Sequence, residues 1–182
     1  LDYTVGLFWH TLNSNLPEIH GNKSTGNSFC LKSLTDKCKK SEMEFRLDVR
    51  DEKWMNCFWK GFVDLIFVRQ GEDGNEYYSI LDWKSDVLEN DVYGNFPGLA
   101  DKVKRNYSIQ VVLYSYTLIL WLKQFYPELG EEEIFEKHFG GIYYVFVRGC
   151  YENTSNGIYA QTWSCFSALK ESYENILKLM RM

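Results

Sequence analysis

The stretch Gly61–Ser85, GFVDLIFVRQGEDGNEYYSILDWKS, decides the reading of this chain. Gly61–Arg69 and Tyr77–Lys84 are rich in β-branched, aromatic and leucine residues, and Gln70–Glu76 between them carries Gly71 and an Asp73-Gly74 turn signal. A five-residue loop over 71–75 pairs Gln70 with Glu76, and that register sets Asp64 opposite Asp82. Facing carboxylates about 5 Å apart repel, and each is costly to bury alone, so something must compensate them. Lys84 lies two residues beyond Asp82 and shares its face. A divalent cation would complete the arrangement. An Asp–Lys surface pair in solvent is the plainer alternative, but Asp64 interrupts a run apolar on both faces, Phe62-Val63 before it and Leu65-Ile66-Phe67-Val68 after it.

Outward from this hairpin, Ser41–Val49 alternates strictly, with Met43, Phe45, Leu47 and Val49 apolar, and predicts a neighbouring strand. Upstream, Val5–Leu12 is a short apolar stretch followed by a loop rich in Asn, Gly, Ser and Thr over 13–28. Residues 1–40 read as an incomplete N-terminal accessory segment and 41–182 as the functional domain. Downstream, Asp86–Lys102 holds Gly94, Pro97 and Gly98 in a loop long enough to border a substrate channel. Periodicity then predicts one long helix over 102–126, with Pro127 past its end. Lys102, Lys104 and Arg105 would stand in its first turn, either as phosphate ligands at free N–H groups or as a solvated basic cluster. Gln110 and Tyr114, four apart, share a face of that helix. Gly141–Arg148 and Gly157–Thr162 predict further strands, and 166–182 an amphipathic closing helix.

Composition fits a folded unit: 182 residues, 45% hydrophobic and 17% aromatic. No apolar run reaches bilayer length and the first residues lack a signal-peptide pattern, so a cytoplasmic protein without membrane contact is expected. The absence of an initial Met suggests a fragment of something longer. The five cysteines form no C-x-x-C pair and signal neither a disulfide framework nor zinc. A net charge of −5 argues against autonomous tight DNA binding. It does not oppose a carboxylate cluster that attracts phosphate once filled by metal.

At G-F-V-D-L-I-F and Y-x-I-L-D-W-K-S the chain resembles the PD-(D/E)xK nucleases, specifically the C-terminal nuclease domain of RecB, a subunit of exodeoxyribonuclease V. Ser41–Phe45, Gln110–Tyr114, His138–Gly141, Phe146–Gly149 and Gly157–Tyr159 follow in the family's order, across roughly residues 29–165. The resemblance implies an α/β fold with a mixed central sheet flanked by helices, and an Mg²⁺-dependent DNA nuclease, with Mn²⁺ as a substitute. The implied partners are DNA, the RecC and RecD subunits and the helicase part of the same polypeptide. Asp64, Asp82 and the Trp83 carbonyl are the expected metal ligands, since Mg²⁺ takes oxygen ligands and keeps several waters. Lys84 would orient or deprotonate the attacking water, with Gln110 and Tyr114 beside it. Glu44 is a candidate for a second metal or for the water network, or else one of several exposed strand acids. Some related helicase-nucleases hold an iron–sulfur cluster on closely spaced cysteines, a spacing missing here. The family takes another ligand from histidine in a G-x-x-x-H pattern, which Gly6–His10 matches. Leu12–Pro17 and Phe29–Leu34, however, resemble segments just before the first strand, which would put that histidine upstream of residue 1. A catalytically silent docking module of the same fold is the rival reading. The opposed acids speak against it.

Overall fold

The computed structural model describes residues 2–51, 54–88, 93–94 and 98–180. A five-stranded sheet with the order β3-β4-β5-β6-β7 organises them. Its strands are β3 (Lys39–Asp51), β4 (Trp54–Gln70), β5 (Glu76–Lys84), β6 (Phe139–Phe146) and β7 (Ile158–Gln161). β3, β4 and β5 form an antiparallel meander, β6 runs parallel to β5, and β7 returns antiparallel. The sheet is therefore mixed, and the expected α/β architecture is present.

Parallel neighbours need a crossover, and α2 (Gly98–Asn106), α3 (Ser108–Leu122) and α4 (Glu131–His138) supply it. α3 is apolar nearly all round, as a helix enclosed by other elements must be. It lies between the sheet face of Ile66, Ile80, Ile142 and Tyr144 and the closing helix α5 (Phe166–Met180). The opposite face, Leu65, Phe67, Leu81, Tyr143 and Val145, packs on Leu16, Ile19, Phe29, Leu31 and Leu34. Every residue of β6 is buried, because both its faces are covered. No described helix is long and apolar enough to cross a membrane.

Three local expectations change. Residues 13–28, read as a loop, contain a hairpin of β1 (Leu16–His20) and β2 (Lys23–Phe29), preceded by α1 (Asp2–Asn13). The polar, glycine-containing β2 hides it, and Gly21 makes its turn possible: φ is +58° and a Cβ there would meet Glu136 O at 2.7 Å. The helix expected over 102–126 is two helices, broken at Tyr107 (φ −128°, ψ 6°). α4 is not among the expected elements, although Glu131, Glu132 and Glu133 in its first turn and Lys137 and His138 in its last complement the helix dipole. Within the 86–102 loop, residues 89–92 and 95–97 lie outside the described residues, and 98–102 belong to α2.

Candidate active site

The hairpin register is as the loop length dictates, from Gln70 opposite Glu76 to Leu65 opposite Leu81. There the β4–β5 ladder stops. Continued regularly, it would bring Trp83 opposite Val63, yet the Trp83 N–H donates to Asp64 Oδ2 at 2.8 Å. A side-chain oxygen thus replaces the next ladder partner. The same place is irregular in β3, where Glu42 has φ +53°, an uncommon value for a residue with a Cβ. Ile66 and Val63, three residues apart, consequently both join the helix-side core while Leu65 joins the other. Asp64 sits at this slip, and so an acid is tolerated within an apolar strand.

Asp82, the next residue of β5, is 6% exposed and points toward α3. Its Oδ1 lies 3.0 Å from Tyr114 OH and accepts from Gln110 Nε2 at 3.2 Å. Its Oδ2 meets Lys84 Nζ at 2.5 Å. Gln110 Nε2 also donates to Tyr114 OH at 2.7 Å, while its Oε1 accepts from Lys84 Nζ at 3.1 Å and Tyr144 OH at 3.2 Å. One amide therefore presents its oxygen to two donors and its nitrogen to two acceptors, which fixes its orientation. The Lys84 ammonium lies 4.0 Å from the centre of the Tyr107 ring and 4.9 Å from that of Tyr144.

Electrostatics follow from this enclosure. Burial raises the Asp82 pKa above the usual carboxylate value and the Asp64 charge adds to it, against opposing pulls from Lys84 and the Tyr114 hydroxyl. Burial and the Asp82 charge push the Tyr114 and Tyr144 phenols up. The centre is thus a like-charged pair, partly withdrawn from water and offset by one ammonium.

The structure brings Asp64, Asp82, Trp83, Lys84, Gln110 and Tyr114 together. It does not bring Glu44 to them. Glu44 is held by Arg46 at 2.9 Å and Lys60 at 3.1 Å on the exposed face of the β3–β4 ribbon, and these partners keep its pKa low. Phe45 next to it points the other way, edge-on to Tyr114. The first-turn placement of the basic residues is also corrected, because the break at Tyr107 leaves Lys104 and Arg105 in the last turn of α2. Lys102 pairs with Asp86 at 2.8 Å, and the Tyr107 hydroxyl donates to the same carboxylate at 2.7 Å. His10 accepts the Glu152 N–H at 3.3 Å and lies beside the Tyr151 ring. Two contributors to the Lys84 pocket escaped the sequence reading. Tyr144 gave no local signal, since only the parallel register sets it beside Asp82. Tyr107 falls inside the single helix expected over 102–126, whereas its departure from helical geometry lets it cover Lys84.

Among the described residues no group of three or more His, Cys, Asp or Glu side chains converges as a metal site. The two-carboxylate set nonetheless suits a hard cation that keeps most of its waters. Asp64 Oδ1 has no partner among the described residues, and Asp82 Oδ2 has Lys84 alone. The Trp83 carbonyl lies on the same strand edge as its N–H, which faces Asp64. Oxygen donors from the Asp64–Asp82 position and from Trp83 just beyond it thus border one gap.

Comparison with known proteins gives two curated relatives. The chain is 35% identical over 92 residues to the RecBCD enzyme subunit RecB of Buchnera aphidicola subsp. Schizaphis graminum (strain Sg), covering 50% of this chain and 7% of that protein. It is 34% identical over 103 residues to the RecBCD enzyme subunit RecB of Escherichia coli (strain K12), covering 55% of this chain and 8% of that protein. The matches thus span less than a tenth of those relatives' length, as a single domain of RecB would. No family model matches. The resemblance to RecB read from the motifs is borne out.

Proposed function

We propose that this chain is the nuclease domain of a RecBCD-type helicase–nuclease, hydrolysing DNA phosphodiester bonds with Mg²⁺ in double-strand break repair and recombination. One observation carries the reading: the sheet opens at Asp64, and the opening faces the interlocked Asp82–Lys84–Gln110–Tyr114 group. Similarity to RecB supports it. DNA, the RecC and RecD subunits and the helicase part of the same polypeptide are the proposed partners, and the cytoplasm the proposed location.

In this reading Asp64, Asp82 and the Trp83 carbonyl would hold Mg²⁺, which would supply charge neutralisation at the phosphate and an activated water, with Mn²⁺ as a substitute. Asp82 is held in place through Oδ1 by Tyr114 and Gln110, so a cation at Oδ2 would have Lys84 alone to displace. Lys84 would donate to the phosphate and position the attacking water or take its proton. Tyr107 and Tyr144 cover the ammonium and keep bulk water from it.

Linear single- and double-stranded DNA incubated with the protein and Mg²⁺, or with EDTA, tests the proposal. Metal-dependent cleavage that disappears in Asp82→Asn and Lys84→Met supports it. Intact DNA across a titration of Mg²⁺ and Mn²⁺ would overturn it.

A further inference from the structure

Outside the interlocked group, one further carboxylate reaches Lys84 through a single side chain. Asp86 follows Lys84 by two residues, just past the end of β5. Its Oδ2 accepts from Tyr107 OH at 2.7 Å, and its Oδ1 meets Lys102 Nζ at 2.8 Å. Burial would raise its pKa, but the bonds from Lys102 and Tyr107 hold it below the usual carboxylate value, so it stands ionised as an acceptor for both. Its backbone is tied as well. Tyr93 OH donates to Asp86 O at 3.1 Å and accepts from Leu88 N at 3.2 Å, while Tyr93 O accepts from Gly157 N at 2.8 Å. A Cβ at Gly149 would lie 2.2 Å from the Tyr93 ring, so that ring is packed directly against the chain that follows β6. Asp86 is therefore fixed at both its main chain and its carboxylate.

Tyr107 needs such a holder. Its backbone departs from helical geometry, at φ −128° and ψ 6°, yet helical bonds run through it, from its own N–H to Val103 O at 2.8 Å and from the Val111 N–H to its O at 2.9 Å. Those bonds do not distinguish the bent form from a regular helix. Stacking on Tyr144, at 5.5 Å between ring centres, does not fix the ring either, since a stacked ring can slide in its own plane. The hydroxyl bond to Asp86 at the far end of the ring stops that slide and leaves the ring centre 4.0 Å from Lys84 Nζ. Without it, an ammonium displaced from Asp82 Oδ2 by a cation would keep only Gln110 and the Tyr144 face.

We propose that Asp86 is a positioning residue for Lys84, acting through the Tyr107 hydroxyl. The carboxylate holds the tyrosine, the tyrosine confines the ammonium, and Lys102 is the counter-ion that keeps Asp86 charged in its half-buried place. The effect on turnover rests on the nuclease reading, whereas the hold on Lys84 does not.

The hold is read without metal or DNA, by NMR of the protein carrying ¹³C at lysine Cε. The Lys84 methylene, assigned by its loss in Lys84→Met, should resonate upfield of lysines that face no ring, because two ring faces lie against it. Asp86→Ala and Tyr107→Phe should each remove part of that displacement. Asp86→Asn, whose amide oxygen still accepts from Tyr107, should retain it. Turnover of DNA with Mg²⁺ gives the second readout. Asp86→Ala and Tyr107→Phe should each lower kcat about tenfold, the effect of losing one hydrogen bond to a charged group, with KM for DNA within about twofold of wild type. The double variant should lose no more than either, and Asp86→Asn should recover most of the loss. If Asp86→Ala fails to fold, Tyr107→Phe carries both readouts. A Lys84 signal unmoved by these substitutions, additive losses in kcat, a loss confined to KM, or an Asp86→Asn chain as impaired as Asp86→Ala would each overturn the proposal. Absence of cleavage by the wild-type chain sinks the nuclease reading instead, and the Lys84 signal then decides the hold alone.

Discussion

Removing one member of the Asp82–Lys84 pair should destabilise the metal-free protein, and removing both should cost less than either alone. The two charges meet at 2.5 Å with side chains 8% and 11% exposed. Deleting one partner of a buried pair leaves the other uncompensated, at about 3–5 kcal/mol, whereas replacing both with well-packed neutral groups is close to neutral. The low end applies here, because Lys84 would keep the Gln110 oxygen and two ring faces, and Asp82 would keep Tyr114 and Gln110. A loss of about 3 kcal/mol in Asp82→Asn or Lys84→Met corresponds to a fall in Tm of about 6–12 °C for a chain of this length. The double variant should lie within about 1 kcal/mol of wild type, because an amide at position 82 still accepts from Tyr114 and methionine fills the space against Tyr107 and Tyr144. This reverses the sign given by repulsion between Asp64 and Asp82 alone, which would make loss of Asp82 stabilising.

Urea unfolding in EDTA, followed by circular dichroism and tryptophan fluorescence, closes the cycle. Single losses that add to within about 0.5 kcal/mol in the double variant would refute the coupling. The pH dependence gives a second arm. Burial raises the native pKa of Asp82 above its unfolded value, so the native state favours the protonated form. The stability this group contributes is present at low pH and is lost as pH climbs from the ordinary carboxylate range to the raised native value. Without Lys84 the native value moves higher still. The deficit of Lys84→Met against wild type should therefore shrink on acidification, as its unpaired Asp82 takes up a proton.

Tyr114→Phe removes a donor from Asp82 Oδ1, so cleavage at limiting Mg²⁺ should fall by roughly tenfold or more, and the acid limb of the pH–rate profile should move to higher pH; an unmoved limb would count against the contact. Asp64→Asn retains an oxygen for the Trp83 N–H, so the metal-free Tm should stay within a few degrees of wild type while the rise in Tm on adding Mg²⁺ disappears, both read by differential scanning calorimetry. Glu44→Gln and His10→Ala should each leave the Mg²⁺ titration of cleavage unchanged, since their side chains are engaged elsewhere; a large rightward shift in either would restore that residue to the ligand set.

The parts of the site that could be read from the sequence are those fixed by short-range geometry. A five-residue loop determines the hairpin register, and that register, observed up to Leu65 opposite Leu81, brings Asp64 and Asp82 to the next position. The alternation from Asp82 to Lys84 and the four-residue spacing from Gln110 to Tyr114 are likewise local periods. Tyr144 reaches Asp82 only through a parallel pairing closed by three helices, and no local pattern encodes that partner. The break at Tyr107 opposes helical periodicity. It is favoured by tertiary contacts, the hydroxyl on Asp86 and the ring beneath Lys84, which outweigh a weak local propensity. β1–β2 failed for a related reason. Its buried face is carried by Leu16, Ile19 and Phe29 alone, too few apolar residues to outweigh a loop-like composition.

The arrangement around Gln110 also explains why an amide stands between the lysine and the tyrosine in the proposed nuclease. Lys84 and a bound cation would compete for the same oxygen, Asp82 Oδ2, because Oδ1 already accepts from Gln110 and lies against Tyr114. Displaced from that oxygen into solvent, the ammonium would leave the reaction. Gln110 Oε1 holds it at 3.1 Å independently of Asp82, and the faces of Tyr107 and Tyr144 bound its remaining movement. A carboxylate at position 110 would hold Lys84 more strongly, but it would add a third negative charge to a centre already strained by two, and it could not donate to Asp82. An apolar residue would hold nothing. A neutral group with both a donor and an acceptor meets each requirement, and glutamine has the reach from α3 to supply both.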